Sequence, residues 1–231
     1  MRDTSRRAVA RRVLCLVVLL SAGVASGVLG QGEELSGPEI LSRALDLRKG
    51  ITDFSAHFAI HLEIEALDLP DSSGTVYFKR PDKLTVKPER GFVVLPRDAV
   101  MPTRISKAIA EGADVTLMGR RATEAGSVYG LKITPREDGG GLRLIAWVNG
   151  KSWTMQKMEV WRDDRRAMSL TWEHTLVEKR FWLPKSVKCE LAQRPRGGGR
   201  RMKGTAAITF SEYRVNTGLD DTLFDEPGEE R

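Results

Sequence analysis

Apolar and polar residues alternate along the chain from Phe54 to Leu67. Such alternation predicts a β-strand with one solvated and one apolar face, because successive side chains of a strand point to opposite faces. Residues 74–80 repeat the pattern, and the polar segment between Asp68 and Gly74 predicts a hairpin turn. The apolar positions of the first strand are Phe54, Ala56, Phe58, Ile60, Leu62, Ile64 and Ala66.

Two segments carry apolar residues at helical spacing. Residues 38–49 follow Ser36-Gly37-Pro38-Glu39, whose spacing is that of a capping box, and Gly50 is placed to end the helix. A second helix begins at Pro102 and ends at Gly112, with Ile105, Ala108 and Ile109 on one side. Both helices are amphipathic and therefore need an apolar surface to pack against.

The chain beyond Gly112 reads as a meander of strands without a further helix. Turn signals separate its apolar runs about every eight to twelve residues, which predicts an antiparallel sheet. Asn149-Gly150 predicts a two-residue hairpin and Asp163-Asp164 a turn. Short strands at residues 84–86 and 92–95 complete a set of about ten. The predicted class is α+β, mostly β: a long sheet curled into an open half-barrel with too few helices to cover it, leaving a cavity for an apolar ligand.

The first thirty residues have the order of a secretory signal peptide. A basic segment precedes the apolar run from Val13 to Leu20, and small residues follow it. The run is too short to cross a bilayer, which takes about 20 residues. Arg6-Arg7 leaves a twin-arginine signal open as an alternative. We predict cleavage between Ser26 and Gly32, a periplasmic location, one domain over residues 31–227 and a disordered tail at residues 228–231.

Removal of the predicted signal peptide changes the net charge from which a binding partner can be inferred. The whole chain carries a formal net charge of +6, but the predicted signal holds five arginines and one aspartate. Without them about 32 basic and 30 acidic side chains remain, so the basicity gives no reason to expect a nucleic-acid partner. The mature chain keeps one cysteine, Cys189, which the strand pattern predicts to be buried, with no internal disulfide.

Few residues point to catalysis or metal binding. The sequence has no GxSxG, P-loop, CxxC or HExxH motif, and we expect no cofactor. His57 and His61 share a strand face with Glu63, but four strand residues span about 13 Å, too far for two ligands of one zinc ion. Glu173 and His174 are neighbours in a strand and point opposite ways. We therefore predict no catalytic or metal site.

Two further features leave alternatives open. The chain's five tryptophans lie between Trp147 and Trp182, interleaved with methionines, and form either ordinary core or the wall of a ligand pocket. The basic, glycine-rich segment at residues 194–203 is either a solvated hairpin tip or a contact for anionic lipid headgroups.

Four segments in this order resemble the LolA-like family of periplasmic lipoprotein carriers. They are ITDFSAHFAI, GTVYFKRPDKL, ADVTLMG followed by SVYGLKITP, and YRVNTGLDDTLFDEP. The resemblance implies a LolA/LolB-like half-barrel with a helical lid and acyl chains bound between sheet and lid. It also implies that Arg80 points into the cavity and hydrogen-bonds the lid backbone, and that Leu84 lies near the mouth. We expect the remaining ligand-binding residues to be Phe58, Ile60, Leu62, Val76, Phe78, Trp147, Met158 and Trp172.

The expected function is that of a monomeric, non-enzymatic carrier. It would bind lipoprotein acyl chains or other lipids and pass them toward the outer membrane, with an inner-membrane transporter or outer-membrane receptor as partner. The alternative is a regulatory or sensor module that binds a membrane-anchored signalling partner, as the LolA-related anti-sigma cofactors do. A hydrolase on an unrelated β fold has no support among the residues.

Overall fold

In the part of the chain that the structure describes, ten antiparallel strands form one sheet, accompanied by three short α-helices. The computed structural model describes residues 35–64, 69–91, 93, 95–124, 126–136, 141–193 and 202–225. The predicted signal peptide, most of the basic 194–203 segment and the predicted tail lie outside the described residues. The elements are α1 (Gly37–Asp46), β1 (Asp53–Ile64), β2 (Ser72–Lys79), β3 (Lys83–Arg90), α2 (Arg97–Val100), α3 (Thr103–Ala110), β4 (Asp114–Thr123), β5 (Gly126–Thr134), β6 (Leu142–Asn149), β7 (Met155–Arg162), β8 (Arg165–Val177), β9 (Phe181–Gln193), β10 (Met202–Val215) and a 3-10 helix (Asp221–Phe224).

The sheet is open, with β3 at one edge of the described strands and β4 at the other. The strand order is β3-β2-β1-β10-β9-β8-β7-β6-β5-β4, so β1 pairs with both its neighbour β2 and the last strand β10. Every other pair joins strands consecutive in the chain, as the meander predicts. No helix among the described residues is long and apolar enough to cross a membrane.

The position of α1 shows how strongly the sheet curves. At its first residue, a methyl group added to Gly37 would stand 2.9 Å from the Leu117 backbone nitrogen of β4. Just past its end, the Arg48 carbonyl accepts a hydrogen bond from Arg80, which directly follows β2. Gly37 and Arg48 are about 17 Å apart at helical rise, whereas eight strand spacings in a flat sheet would separate β2 from β4 by about 38 Å. The long reach of an arginine side chain does not close that gap, so the sheet curls around α1, and the predicted half-barrel is confirmed.

Alternation in β1 and β2 sorts their side chains as predicted. Phe54, Ala56, Phe58 and Ile60 are each 1% exposed, whereas the intervening residues are half-buried or exposed. Val76 and Phe78 of β2 point to the same side and are equally covered. The opposing apolar residues are Ile40 and Leu41 of α1, Ala99 and Val100 of α2, and Ile105 and Ala108 of α3.

The predicted capping box begins α1. The Ser36 hydroxyl accepts from the Glu39 backbone N–H at 3.4 Å, and the Glu39 carboxylate accepts from the Ser36 N–H at 2.8 Å. The helix ends at Asp46, before the predicted Lys49, since the N–H groups of Arg48 and Lys49 bond three residues back, to Leu45 and Asp46. The Arg48 carbonyl accepts from the Ile51 N–H at 3.0 Å and keeps a second lone pair for another donor.

Three local predictions need correction. The strand expected at residues 84–86 is longer, since the edge strand β3 runs from Lys83 to Arg90, and Pro88 is tolerated because an edge strand needs no donor on its outer side. The strand expected at residues 92–95 lies partly outside the described residues. The loop that begins at Asn149-Gly150 is longer than two residues, since β6 ends at Asn149 and β7 begins at Met155. The Asn149 side-chain oxygen stabilises this longer loop by accepting from the N–H groups of Lys151 and Ser152. A 3-10 helix, capped by the Asp220 side chain, follows the last strand where no helix was expected.

Two other turns match or extend the sequence pattern. Asp163 and Asp164 form the predicted turn between β7 and β8, closed by the pairing of Arg162 with Arg165. Asp53, only 3% exposed, accepts from the backbone N–H groups of Thr217 and Gly218 at 2.9 and 3.2 Å. A buried carboxylate thus ties the start of β1 to the segment after β10.

Candidate functional site

A cleft of about 720 Å³ opens between the end of α1, the turn after β2 and the pair α2–α3. Its apolar lining comes from four different elements, so it exists only in the folded chain. The apolar residues are Leu45, Phe78, Pro81, Met101 and Pro102. The charged lining consists of Arg48, Lys49, Arg80, Arg97, Arg104 and Lys107 together with Asp46 and Asp82.

Arg80 connects the sheet to α1 across this cleft. Its Nε donates to the carbonyl oxygen of Ile51, and a terminal guanidinium nitrogen donates to that of Arg48. Both acceptors belong to the segment between α1 and β1, where the end of the helix leaves carbonyls without intrahelical partners. The planar guanidinium carries several donors in a fixed fork, which suits it to bridge two carbonyls.

An aromatic cluster lies behind the cleft. Phe78 is 2% exposed, and its ring centroid lies 5.3 Å from that of Phe54. Tyr213 of β10 packs on the other side of Phe54 and donates its hydroxyl to the Pro184 carbonyl at 2.6 Å. Burial raises the pKa of Tyr213 well above its usual range, so the phenol stays neutral. The aromatic cluster behind the cleft is therefore uncharged, and Phe78 is its member that lines the cleft.

Two of the ten expected ligand-binding residues, Arg80 and Phe78, line the cleft. Four others lie in the closed core beneath the helices, where none is more than 1% exposed: Phe58, Ile60, Val76 and Met158. Leu62 and Leu84 are half-buried and pack against the edge of this core. The part that any of these residues plays in ligand binding stays a prediction.

The five tryptophans do not share one surface. Trp172 is 7% exposed and donates its indole N–H to the Ala99 carbonyl of α2 at 3.2 Å. Trp153 lies under the Arg43 guanidinium of α1. Trp147 lies on the opposite face, where its ring meets the Lys157 ammonium at 4.9 Å. The reason is strand parity, since Ala146 and Val148 beside Trp147 take the buried positions.

Arg48 is the one cation of the described cleft lining that is half-buried rather than exposed. Its guanidinium is half-buried, and its one hydrogen bond among the described side chains goes to the Met101 sulfur at 3.1 Å. Burial lowers the pKa of Arg48 to about 10, which leaves it charged at neutral pH. Burial and the Arg48 charge together lower the pKa of nearby His174 to about 4, so this imidazole is neutral.

The titratable side chains that the metal-site prediction concerns lie apart or pair with one another in the described residues. No group of three metal-ligating side chains comes together among them. His57 pairs with Glu89 at 3.3 Å and His61 with Asp71 at 2.7 Å on the solvated face of β1. Cys189 is buried as predicted, and burial raises the pKa of its thiol to about 11, which disfavours the thiolate.

Sequence reasoning missed most of the charged lining of the cleft. Arg97 and Met101 flank or belong to α2, a four-residue helix too short to show a helical period. Arg48 reads in the sequence as an ordinary basic residue at a helix end. The positions of α2 and α3 over the sheet bring these residues together.

Comparison with known proteins supports the fold. No protein-family model matches the sequence, and no curated protein matches it significantly. A putative outer membrane lipoprotein-sorting protein domain from Vibrio parahaemolyticus superposes with a TM-score of 0.61 and 14% identity, over 82% of this chain and 96% of that one. A DUF1329 family protein from Desulfovibrio piger gives 0.58 and 16%, over 82% and 97%.

A third solved structure, a LolA superfamily protein from Nitrosomonas europaea, also matches. It gives a TM-score of 0.58 at 16% identity, over 83% of this chain and 98% of that one. The three matches agree with the open ten-strand sheet and its few helices, and with the resemblance in the sequence. The chain has a LolA-like fold.

Proposed function

We propose that the protein is a periplasmic carrier that binds lipoprotein acyl chains or other lipids beneath its helices and passes them toward the outer membrane, without catalysing a reaction. The observation that carries this proposal is the Arg80 bridge, which holds the end of α1 over the apolar side of the curved sheet. The LolA-like fold, which this chain shares with the lipoprotein-sorting protein domain from Vibrio parahaemolyticus, supports the same class of function.

The helices would form a lid that opens for the ligand. In the closed arrangement Phe58, Ile60 and Val76 are buried in the core that also contains Ile40 of α1 and Ile105 of α3, so an acyl chain reaches them only when the helices move away. The cleft marks the place of entry, because it reaches Phe78 from the surface. Its volume of about 720 Å³ falls within the range of about 300–1,000 Å³ typical of small-molecule sites.

The energies of opening and binding are comparable. Hydrogen bonds to a charged donor contribute about 1.5–3 kcal/mol each, so opening the two Arg80 bonds costs about 3–6 kcal/mol. Burying acyl methylenes returns about 0.8 kcal/mol each, so about four to eight of them offset the loss. A long acyl chain carries more than that, whereas a short one does not, and the proposal therefore predicts selection for long chains.

Transport requires location and partners as well as a pocket. The predicted signal peptide supports export to the periplasm, and the proposed partners are an inner-membrane transporter that loads the carrier and an outer-membrane receptor that unloads it.

Two measurements test the proposal. Native mass spectrometry of the protein exported from cells should show co-purified lipid, and the mature chain should bind a fluorescent long-chain fatty acid. Met101→Gln should weaken that binding about five-fold, since it removes ~1 kcal/mol of apolar contact. Met118→Gln is the matched control, because Met118 is 60% exposed and lies outside the cleft. A chain that carries no lipid and takes up no fatty acid would refute the carrier function.

A further inference from the structure

The charges that line the cleft do not balance. Six cationic side chains and two carboxylates line it. Asp46 pairs with Lys49 at 2.7 Å, and two more cations reach carboxylates outside the lining: Arg104 pairs with Asp98 at 2.9 Å and Lys107 with Glu111 at 3.7 Å.

The remaining cations are Arg48, Arg80 and Arg97. None of these three arginines has a carboxylate partner among the described residues. Of the two carboxylates that line the cleft, Asp82 is the one that forms no ion pair with a described residue. Arg80 donates hydrogen bonds to two backbone carbonyls, which are neutral groups and do not cancel the positive charge of its guanidinium. The cleft therefore holds an excess of about two positive charges.

The excess positive charge destabilises the ligand-free protein chiefly at Arg48. Its guanidinium is half-buried, and a sulfur atom is a weak acceptor for one of its five N–H donors. A cation partly removed from water without a counter-charge is unfavourable, and burial accordingly lowers the Arg48 pKa to about 10. A bound anion would supply the missing acceptors and charge.

The apolar half of the cleft lies beside the cationic half. Leu45 and Met101 lie next to Arg48, and Phe78 forms the floor. A site with fork-shaped cations at one end and apolar side chains at the other matches a molecule that has both kinds of surface. Guanidinium groups bind the planar or tetrahedral oxygens of carboxylate and phosphate groups especially well.

From this arrangement we infer that the cleft binds the anionic headgroup, a phosphate or carboxylate, of an amphiphile whose tail passes over Phe78. Arg48 and Arg97 bind the headgroup, while Arg80 holds α1 and Arg104 stays paired with Asp98. This inference rests on the proposed function, since the tail occupies the space that the carrier proposal assigns to acyl chains. It adds a headgroup class to that proposal.

Titrations with three ligands test the inference. The mature chain is titrated with dodecyl phosphate, with uncharged dodecyl maltoside and with inorganic phosphate, each amphiphile below its micelle concentration. We expect dodecyl phosphate to bind at least about ten-fold more tightly than dodecyl maltoside, with a difference that shrinks as salt is added. Inorganic phosphate should bind weakly, because it lacks the tail.

Two arginine variants test whether the preference for an anionic headgroup comes from the cleft. Arg97 is exposed and has no side-chain partner among the described residues, so Arg97→Gln should fold normally and weaken dodecyl phosphate binding about five-fold while leaving dodecyl maltoside unchanged. Arg162→Gln is the matched control, an equally exposed arginine outside the cleft lining. Equal losses in the two variants would mean a general effect of net charge and would overturn the inference.

The remaining outcomes separate the two proposals. Equal binding of both amphiphiles would overturn the headgroup assignment and leave the carrier function standing. Phosphate that binds as tightly as dodecyl phosphate would assign a free-anion site and overturn the amphiphile. Failure of every amphiphile to bind would refute the carrier function itself.

Discussion

The Trp172 indole nitrogen of β8 lies 3.2 Å from the carbonyl oxygen of Ala99 in α2, and both residues are buried. The bond joins the middle of the sheet to a helix of only four residues that has no side-chain cap of its own. An isolated helix of this length is unstable in water. The position of α2, and with it the wall of the cleft that contains Arg97 and Met101, therefore depends on contacts of this kind.

Trp172→Phe should lower the free energy of unfolding by about 1–3 kcal/mol, because it keeps a ring but leaves the buried Ala99 carbonyl without this donor. Urea unfolding measures the loss, and amide exchange over residues 96–101 should increase. Trp147→Phe is the control, since the Trp147 indole N–H has no partner among the described residues, and it should cost less than about 1 kcal/mol. Equal losses in the two variants would show that ring size, and not the bond to α2, sets the cost.

Arg80→Lys should loosen the end of α1. A lysine ammonium is a point charge without the planar fork, so it cannot hold the Arg48 and Ile51 carbonyls as the guanidinium does. We expect the amides of residues 46–51 to exchange about ten-fold faster, which corresponds to ~1.4 kcal/mol. If opening precedes binding, the affinity for a long-chain fatty acid rises by up to the same factor.

The control for this variant is Arg90→Lys. Arg90 is exposed at the end of β3 and lies outside the cleft, so neither exchange nor affinity should change. Unaltered exchange near Arg48 in Arg80→Lys would contradict a latch at this position.

The parts of this fold visible in the sequence are those set by local periodicity. Alternation from Phe54 onward fixes which face of β1 is buried, and the Ser36–Glu39 capping box fixes where α1 begins. Each signal depends only on residues a few positions apart. The number of strands and their antiparallel order follow from the same kind of evidence.

The composition of the cleft depends instead on how the elements pack. The half-burial of Arg48 requires its contact with Met101 and the coverage of α1 by distant strands, which no local pattern encodes. Register irregularities change which face a residue takes, as in β7, where the neighbours Gln156 and Lys157 are both half-buried between the buried Met155 and Met158. Arg80 was placed by family resemblance, since an arginine before a proline carries no signal of its own.

His174 should make the protein less stable in mild acid. Its pKa falls from an ordinary value of 6.5 to about 4, chiefly because of burial and then because of the Arg48 charge. Between these two pH values His174 is protonated in the unfolded chain but neutral in the folded chain. The contribution of His174 to the free energy of unfolding is therefore complete above pH 6.5 and is lost as the pH falls toward 4. From neutral pH to about pH 4.5, the loss should be about 1–3 kcal/mol.

Comparison with His174→Gln isolates this effect, because glutamine does not titrate. The difference in unfolding free energy between wild type and variant should shrink as the pH falls. His61→Gln should show the opposite trend, since Asp71 raises the pKa of His61 and its contribution is present in acid and lost as the pH rises. Parallel pH profiles for wild type and His174→Gln would refute the assignment.

Gly37→Ala should destabilise the fold even though alanine is the better helix former. The added methyl group would stand 2.9 Å from the Leu117 nitrogen and 3.1 Å from the Val115 carbonyl oxygen, both backbone atoms of β4 that cannot turn aside. Either α1 or the edge of the sheet must shift, at a cost of about 1–3 kcal/mol. Since α1 meets β4 at this end and Arg80 at the other, we also expect faster amide exchange near Arg48.

Gly130→Ala is the matched control. Its added methyl group would meet the Met118 Cβ at 3.8 Å, an ordinary contact, and its backbone conformation is open to any residue. Thermal and urea unfolding of the two variants should therefore differ, with Gly130→Ala within about 0.5 kcal/mol of wild type. Wild-type stability in Gly37→Ala would mean that α1 does not press against β4, and it would remove the close contact from which the curvature of the sheet is argued.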